Sequence, residues 1–319
     1  MITDKQEAYV IKYPQAVDFA EQQEHIAWFA KEIDMEKDLH DLHNSVTEAE
    51  MHGVVTVLKL FTKYETHVGN EYWLDFVRRK FPRPEIQRMA SEFGRTELSI
   101  HAPFYNRINE VLNLDTEEFY NSYIEDDTLR NRIEWIERQF KPDDLLQSLA
   151  VGSITEGAIL YSNFAFLKHF QAEGKNKLVN LSAGINFSVR DENLHSLAGA
   201  WLFNTLLAES DLNAEQKQKL KDSIVKTCHQ VLEHESRIID MIFEKGTIKG
   251  ITDNQMKQFI KSRLNLCLSQ LGLEPIFEVG YDPISGWFYK NIQQSKMNDF
   301  FNNQGSEYNR NWIEKGFVW

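Results

Sequence analysis

The chain has 319 residues, of which 42% are hydrophobic and 26% charged, a balance typical of a folded protein rather than a disordered one. Its 48 acidic and 35 basic side chains give a formal net charge of −13, which argues against binding to the phosphate backbone of nucleic acid. No apolar run approaches the roughly 20 residues that a membrane span needs, the first seven residues contain no apolar signal core, and two cysteines are too few for a disulfide framework. We therefore expect a cytoplasmic protein with no membrane partner.

Helix-forming residues dominate the chain, and the alternation typical of strands is rare. Capping-box spacings, which mark helix starts, begin at Ser45, Asn213 and Thr252. In chain order, we predict long helices at about 45–70, 85–112, 117–139, 143–171, 177–209, 214–245 and 252–271. The predicted fold class is therefore all-α, with one helical domain over residues 1–295 and an Asn-rich tail over 296–319.

One carboxylate lies in an unusually apolar stretch. Glu156 is surrounded by small and apolar residues from Ala150 to Tyr161, with no basic residue within a helical turn. Burial of an ionised carboxylate is costly unless a partner or a metal ion compensates for it. The alternative is an exposed end of a half-buried helix.

Two Glu/His pairs occur at helical spacing. Glu192 and His195 are three residues apart, and Glu97 and His101 are four apart, so each pair lies on one face of its helix. Either pair alone can arise by chance on a solvated face. Glu65, on an earlier helix, is the weakest candidate by itself.

Together these residues predict a paired metal site. A helical bundle can hold two metal ions with one Glu from each of two helices and a Glu/His pair from each of the other two. Carboxylates can bridge two cations, and imidazole suits iron. In chain order the candidate ligands are Glu65, Glu97, His101, Glu156, Glu192 and His195.

The sequence resembles the small, radical-generating subunit of class I ribonucleotide reductase over about residues 20–300. The resemblance rests on the candidate ligands, on Trp28 before Glu32-Ile33-Asp34, on Asp191 within Arg190–His195, and on Tyr105. The family has a tyrosine four residues after its first metal-binding histidine, and Tyr105 follows His101 at this distance. The resemblance implies a ferritin-like helical bundle with additional helices and a role in ribonucleoside-diphosphate reductase.

The resemblance also implies residue roles. A di-metal centre would react with dioxygen, or a reduced oxygen species, and oxidise Tyr105 to a radical. A relay through Trp28, Asp191 and His101 would pass the radical to a large subunit that reduces ribonucleotides to deoxyribonucleotides. Leu160, Phe164 and Ser188 would line the radical pocket. From the residues alone, core packing is the favoured interpretation of Tyr105 and Trp28, and a surface acid that of Asp191. Leu160 and Phe164 are equally compatible with ordinary core packing.

Three positions depart from the family pattern. The first pair has three residues between Glu97 and His101 where the family has two. A regular helix still places both on one face, and a π-type bulge is the alternative that absorbs the extra residue. Ser188 stands where the family usually has a bulky apolar residue, which would affect the lifetime of the radical. Glu65 stands where many members have aspartate, which would affect the choice of metal.

The cofactor and partners are also implied by the resemblance. The ligands would hold two irons, or alternatively two manganese ions or one of each, and manganese would require a flavoprotein activator. We expect a homodimer that docks to the large subunit through residues 296–319, where Tyr308 is a candidate relay residue. The alternative for this tail is that it folds back on the domain. Competing functions are a di-iron oxygenase acting on a small molecule and a ferritin-type metal-binding protein without catalysis.

Overall fold

The computed structural model describes residues 1–140 and 143–289. Within these ranges the regular structure is helical, apart from one isolated bridge between Ile248 and Ile251. This confirms the predicted all-α class. The predicted domain end at residue 295 and the tail lie outside the described residues.

The α-helices follow one another with short connections. In chain order they are α1 (Pro14–His25), α2 (Leu39–Asn44), α3 (Glu48–His67), α4 (Pro84–Thr96), α5 (Ala102–Val111), α6 (Glu117–Asn121), α7 (Asp127–Glu137), α8 (Leu145–Ile154), α9 (Tyr161–Lys168), α10 (Val179–Ala208), α11 (Ala214–Ile242), α12 (Asp253–Gln270) and α13 (residues 283–289). Short 3₁₀ turns lie at Ala30–Glu32, Met35–Asp38, Ser122–Ile124 and His169–Gly174.

Three π-helical segments continue the α-helices. Val68–Val77 follows α3 and leads into the short turn Arg78–Lys80, Glu97–His101 joins α4 to α5, and Thr155–Ile159 joins α8 to α9 across Leu160. Of the two arrangements that the sequence allowed for Glu97 and His101, a regular helix and a π-type bulge, the structure has the π form. A π turn uses i→i+5 hydrogen bonds and is rare, so segments of this kind commonly mark functional sites.

Side-chain caps fix where several helices begin. The capping boxes at Asn213 and Thr252 are confirmed. The box predicted at Ser45 was wrong by two residues, because Thr47 caps α3 by accepting from the amide of Glu50, whose side chain accepts from the amide of Thr47 in return. The neighbouring Thr in the same stretch thus provides the better cap.

The helix prediction also needed one division and one addition. The predicted helix at 117–139 is divided into α6 and α7, because Asp126 accepts hydrogen bonds from the amides of Thr128 and Leu129 and starts a new helix. Helix α1 was not predicted at all. It begins with Pro14 in its first turn, a position that suits proline, and packs against α4 and α10.

Helix α10 is fixed against its neighbours at two places. At its start, Asp38 accepts from the amides of Asn180 and Leu181, at 3.2 and 2.7 Å. In its middle, the hydroxyls of Ser153 on α8 and Ser196 on α10 each donate to the other residue's backbone carbonyl, at 2.9 Å. These bonds set the register between α10 and α8, the helix that leads into the Thr155–Ile159 π segment.

Candidate metal centre

The structure brings all six predicted ligands together in the core. Glu65 lies on α3, Glu97 and His101 in the second π segment, Glu156 in the third, and Glu192 with His195 on α10. Each of the six residues is at most 1% exposed. Four carboxylates and two imidazoles therefore share one water-excluded space.

The six side chains form two overlapping groups. One comprises Glu65, Glu97, His101 and Glu192, and the other comprises Glu97, Glu156, Glu192 and His195. Within each group, one potential ligand atom from every residue lies within 4.8 Å of the others. Because Glu97 and Glu192 belong to both groups, they are the two carboxylates placed to bridge a pair of ions.

The first histidine points its Nδ1 atom into its group. His101 Nδ1 lies 2.9 Å from Glu97 Oε2, 3.1 Å from Glu192 Oε1 and 3.6 Å from Glu65 Oε2. Its other ring nitrogen, Nε2, lies 3.1 Å from Oδ2 of Asp191. A carboxylate on the far nitrogen of a ligating histidine fixes the orientation and tautomer of the ring.

The second histidine has the same arrangement with a different outer partner. His195 Nδ1 lies 2.6 Å from Glu97 Oε1, 3.7 Å from Glu192 Oε2 and 3.9 Å from Glu156 Oε1. Its Nε2 lies 3.1 Å from Oε1 of Gln23 on α1. Sequence reasoning missed Gln23 because helix α1 was not predicted.

The donor atoms fit a pair of cations. Among the described residues, Glu65 Oε1, Glu97 Oε1, both carboxylate oxygens of Glu192 and His195 Nδ1 are buried without a hydrogen bond of acceptable geometry. Unpaired buried carboxylate oxygens are costly, and divalent cations prefer such oxygens together with imidazole nitrogen. The geometry and the chemistry of the set therefore both suit two metal ions.

Burial gives the carboxyl groups unusual proton affinities. It raises the pKa of Glu65 and Glu156 well above the ordinary value of 4.5, and that of Glu192 to about 8. Burial has the same effect on Glu97, but the adjacent His101 and His195 outweigh it and hold the pKa of Glu97 below its ordinary value. The metal-free cluster consequently holds protons near neutral pH, which metal binding would displace.

One carboxylate ligand candidate has an indole partner that sequence reasoning also missed. Trp73 donates a hydrogen bond from Nε1 to Glu156 Oε1 at 2.6 Å. Trp73 follows Glu65 by eight residues, but it lies within the first π segment, which changes the face on which it points. The spacing of a regular helix therefore did not lead to it.

Tyr105 is fully buried in an aromatic pocket. Its ring stacks on Phe61, with centroids 4.2 Å apart, and Phe61 in turn stacks on Phe164 at 5.6 Å. Its hydroxyl has no well-formed hydrogen bond among the described residues, and burial raises its pKa well above the ordinary value, an effect that the nearby Ser188 hydroxyl opposes. Leu160 is 2% exposed. Phe61 lies one turn before Glu65, so helical spacing could have indicated it.

The predicted relay residues are connected. Trp28 Nε1 donates to Asp191 Oδ2 at 2.8 Å, and the same oxygen faces His101. The indole also packs against Phe104 and Phe187, each with centroids 5.4 Å away. The predicted tail residue Tyr308 lies outside the described residues.

Comparison with known proteins identifies the family. The family model described as ribonucleotide reductase, small chain, matches residues 6–283. The chain belongs to this family. The ferritin-like fold and the prediction of a reductase small subunit are thereby confirmed.

This ribonucleotide reductase small chain has relatives of viral and bacterial origin. It is 26% identical, over all of its length and 88% of the relative, to the probable ribonucleoside-diphosphate reductase small subunit 048L of Invertebrate iridescent virus 3. A putative class I ribonucleotide reductase from Bacillus halodurans superposes with a TM-score of 0.76 at 24% identity, covering 85% of this chain and 97% of that one. The dimanganese(II)-NrdF of Streptococcus sanguinis superposes with the same TM-score at 21% identity, covering 88% and 97%. Among the described helices, none is both long enough and apolar enough to cross a membrane.

Proposed function

We propose that the buried cluster binds two metal ions and supports the formation of a tyrosyl radical at Tyr105, which this chain passes to a large subunit for the reduction of ribonucleotides. The observation that carries the proposal is the pair of overlapping donor groups that share Glu97 and Glu192 beside the buried Tyr105. When bound, a di-iron, di-manganese or mixed centre supplies oxidising power by reacting with dioxygen or a reduced oxygen species. The same ligands suit both iron and manganese.

The protein would position the two ions through two imidazole rings and four carboxylates. His101 and Glu65 would hold one ion and His195 and Glu156 the other, and Glu97 and Glu192 would be shared, since they belong to both donor groups. Asp191 and Gln23 hold the two imidazoles from outside through their far nitrogens. This outer support keeps both Nδ1 atoms directed at the ions.

The surroundings of Tyr105 suit a radical that must last. Phe61 covers one face of the phenol ring and is stacked in turn on Phe164, and both residues, with Leu160, belong to the buried core. Loss of an electron from a phenol is accompanied by loss of its proton. Among the neighbouring carboxylates, Glu65 contributes most to the raised pKa of Tyr105.

The radical would leave the site through Trp28, Asp191 and His101. Because Asp191 bonds to the indole and to the imidazole through one oxygen, the three side chains form a continuous path from the metal cluster. A homodimer, docking through residues 296–319, a relay role for Tyr308, a flavoprotein activator in the case of manganese and a cytoplasmic location stay predictions.

The proposal is tested by electron paramagnetic resonance and elemental analysis. Metal-free protein is loaded with Fe²⁺ and exposed to air, and a second sample is loaded with Mn²⁺ and given a reduced flavoprotein as well. We expect two metal ions per chain and a tyrosyl signal in at least one sample, and its loss in Tyr105→Phe. Since the Tyr105 hydroxyl lacks a well-formed hydrogen bond, that variant should change the free energy of unfolding by less than about 1–2 kcal/mol.

The opposite results distinguish the competing functions. Absence of a tyrosyl signal in both samples, or an unchanged signal in Tyr105→Phe, contradicts the proposal. Oxygen-dependent turnover of a small molecule without a large subunit would favour a di-iron oxygenase. Retention of metal with neither radical nor turnover would favour a ferritin-type protein.

A further inference from the structure

Two buried arginines contact the π segment that carries Glu156. Arg263 on α12 donates from Nε to the backbone carbonyl of Gly157 at 2.8 Å. Arg132 on α7 donates from a terminal nitrogen to the carbonyl of Ile159 at 3.1 Å. Both side chains are 1% exposed, so these bonds lie in the core. The two accepting carbonyls are one and three residues after Glu156.

Arg263 has an unusual environment for a buried cation. Its guanidinium lies 3.7 Å from the ring centroid of Tyr161 and donates to the hydroxyl of Tyr289 at 2.8 Å. In the part of the chain that the structure describes, no carboxylate oxygen lies within 4.0 Å of it. A buried charge without a counter-ion is costly, and the carbonyl of Gly157 is one of the few groups that offset this cost.

Arg132 reaches the same segment through an ionic network. It pairs with Glu235 on α11, and its guanidinium lies 5.4 Å from the ring centroid of Tyr64. Glu235 also accepts a hydrogen bond from Ser162, which lies just beyond the π segment on α9. The network therefore ties both the end of the segment and the next helix to α7 and α11.

Gly157 allows the close approach that Arg263 needs. A Cβ atom at this position would lie 2.6 Å from Sγ of Cys267 and 2.4 Å from Oγ of Ser196. Cys267 is one turn after Arg263 on α12, so the helix face that packs on Gly157 is also the face that delivers the guanidinium. A larger residue here would have to displace the side chains of Ser196 and Cys267.

We propose that Arg132 and Arg263 are positioning residues that hold the Thr155–Ile159 segment in its π conformation and so keep Glu156 in place for the second ion. A π turn is less stable than an α turn, so it needs support from outside the helix. Without that support the segment would adopt α geometry, in which each residue adds about 100° of rotation. Because a π turn contains one more residue than an α turn, this change would rotate Glu156 relative to α9. The inference rests on the proposed binding of two ions.

The test compares three variants of the full chain. Arg263→Met removes the guanidinium, and Arg263→Lys restores a charge and a donor. Arg83→Met is the matched control, because Arg83 is also a buried arginine but bonds to Glu85, away from the π segment. Anaerobic titration with Mn²⁺ gives the number and affinity of bound ions, thermal unfolding gives stability, and amide hydrogen exchange of metal-free protein reports on residues 155–164.

We expect wild type and Arg83→Met to bind two ions per chain. Arg263→Met should bind one ion with wild-type affinity and the second about 10- to 100-fold more weakly, which is the usual effect of losing outer support of a metal ligand. Arg263→Lys should recover part of that affinity. Exchange at residues 155–164 should be faster in metal-free Arg263→Met and unchanged in Arg83→Met.

The inference is overturned if Arg263→Met binds both ions as wild type does with unchanged exchange. It is also overturned if Arg83→Met, at an equal loss of thermal stability, loses the same ion. If Arg263→Met does not fold, Arg263→Lys carries the test, and wild-type affinity for the second ion with wild-type exchange rejects the inference. If wild type itself fails to bind two ions, the proposed function fails, while the exchange comparison still decides whether the arginines hold the segment.

Discussion

The indole of Trp28 and the carboxylate of Asp191 are joined by a buried hydrogen bond of 2.8 Å, although 163 positions separate them in the sequence. The accepting oxygen, Oδ2, also lies 3.1 Å from Nε2 of His101. A single carboxylate oxygen thus connects an aromatic ring outside the Glu/His cluster with a histidine inside it. Two proposed roles can therefore be tested independently, namely metal binding and the long-range transfer of the radical.

Replacement of Trp28 should prevent transfer of the radical to the large subunit and leave metal binding intact. Trp28→Phe retains an aromatic ring against Phe104 and Phe187 but removes the indole N–H. We expect two ions per chain, a loss of about 1–2 kcal/mol in the free energy of unfolding, and deoxyribonucleotide formation reduced to background in the presence of the large subunit. Product formation and elemental analysis provide the measurements.

A second tryptophan offers the control for this experiment. Trp135 is half-buried and donates a hydrogen bond to Gln230, at 3.4 Å, outside the relay. Trp135→Phe should retain full product formation. Wild-type turnover in Trp28→Phe would show that the path does not begin at this residue.

Gln23 should matter for the affinity of one ion. Gln23→Leu keeps a similar volume but removes the oxygen that faces His195 Nε2. We expect the affinity of the ion on the His195 side to fall about 10- to 100-fold, because the ring loses the partner that fixes its orientation. Metal titration measures this effect. The exposed neighbour Gln22, changed to Leu in the same way, should bind both ions normally, and an equal loss in both variants would refute the role given to Gln23.

Ser188 should influence the electronic environment of the Tyr105 radical. Ser188→Ala removes, without adding volume, a hydroxyl that is near enough to the phenol to oppose the rise in its pKa, so the radical oxygen loses a polar neighbour. We expect the largest g value of the tyrosyl signal in high-field resonance spectra to rise. Ser182→Ala is the matched control, since Ser182 is a buried serine on the same helix that bonds to the carbonyl of Leu167. Identical spectra for wild type and Ser188→Ala would exclude contact between the two groups.

The metal-free protein should lose stability as the pH rises through neutrality. The pKa of Glu192 is ordinarily 4.5 and is raised to about 8 in the folded chain, chiefly by burial. Between these values the folded state binds a proton that the unfolded state has released. The stabilisation is therefore fully present below pH 4.5 and is lost as the pH approaches 8, with a slope of up to about 1.4 kcal/mol per pH unit for one group.

Thermal unfolding of metal-free wild type and Glu192→Gln from pH 5 to 8 measures this contribution. We expect the stability of wild type to fall relative to that of the variant over this range. Metal affinity of wild type should rise over the same range, because ligating carboxylates must be deprotonated. A constant difference between the two stability profiles would contradict the raised pKa of Glu192.

The sequence was informative where the helices are regular. Glu192 and His195 lie on the regular helix α10, so their spacing predicted a shared face correctly. The capping boxes at Asn213 and Thr252 involve only neighbouring residues, and both were predicted correctly. Local chemistry decides features of this kind, and one sequence is enough to predict them.

The remaining features depend on contacts between distant parts of the chain. Gln23 lies on a short helix whose apolar pattern is weak, and Trp73 lies where a π segment changes the exposed face. Arg132 and Arg263 do not differ, in their local sequence, from arginines that lie on the surface. Their burial results from contacts with distant parts of the chain, Arg132 with Glu235 on α11 and Arg263 with Gly157 in the π segment, which no periodicity in the sequence indicates.

The wide turn between Glu97 and His101 has a practical consequence for finding proteins of this kind. A pattern search that requires two Glu-x-x-His motifs would detect Glu192 with His195 and reject this chain at its first pair. The extra residue is absorbed within Glu97–His101, so Tyr105 still follows His101 by one turn. Searches that allow two or three intervening residues at the first pair should therefore recover reductase small chains that a strict motif excludes.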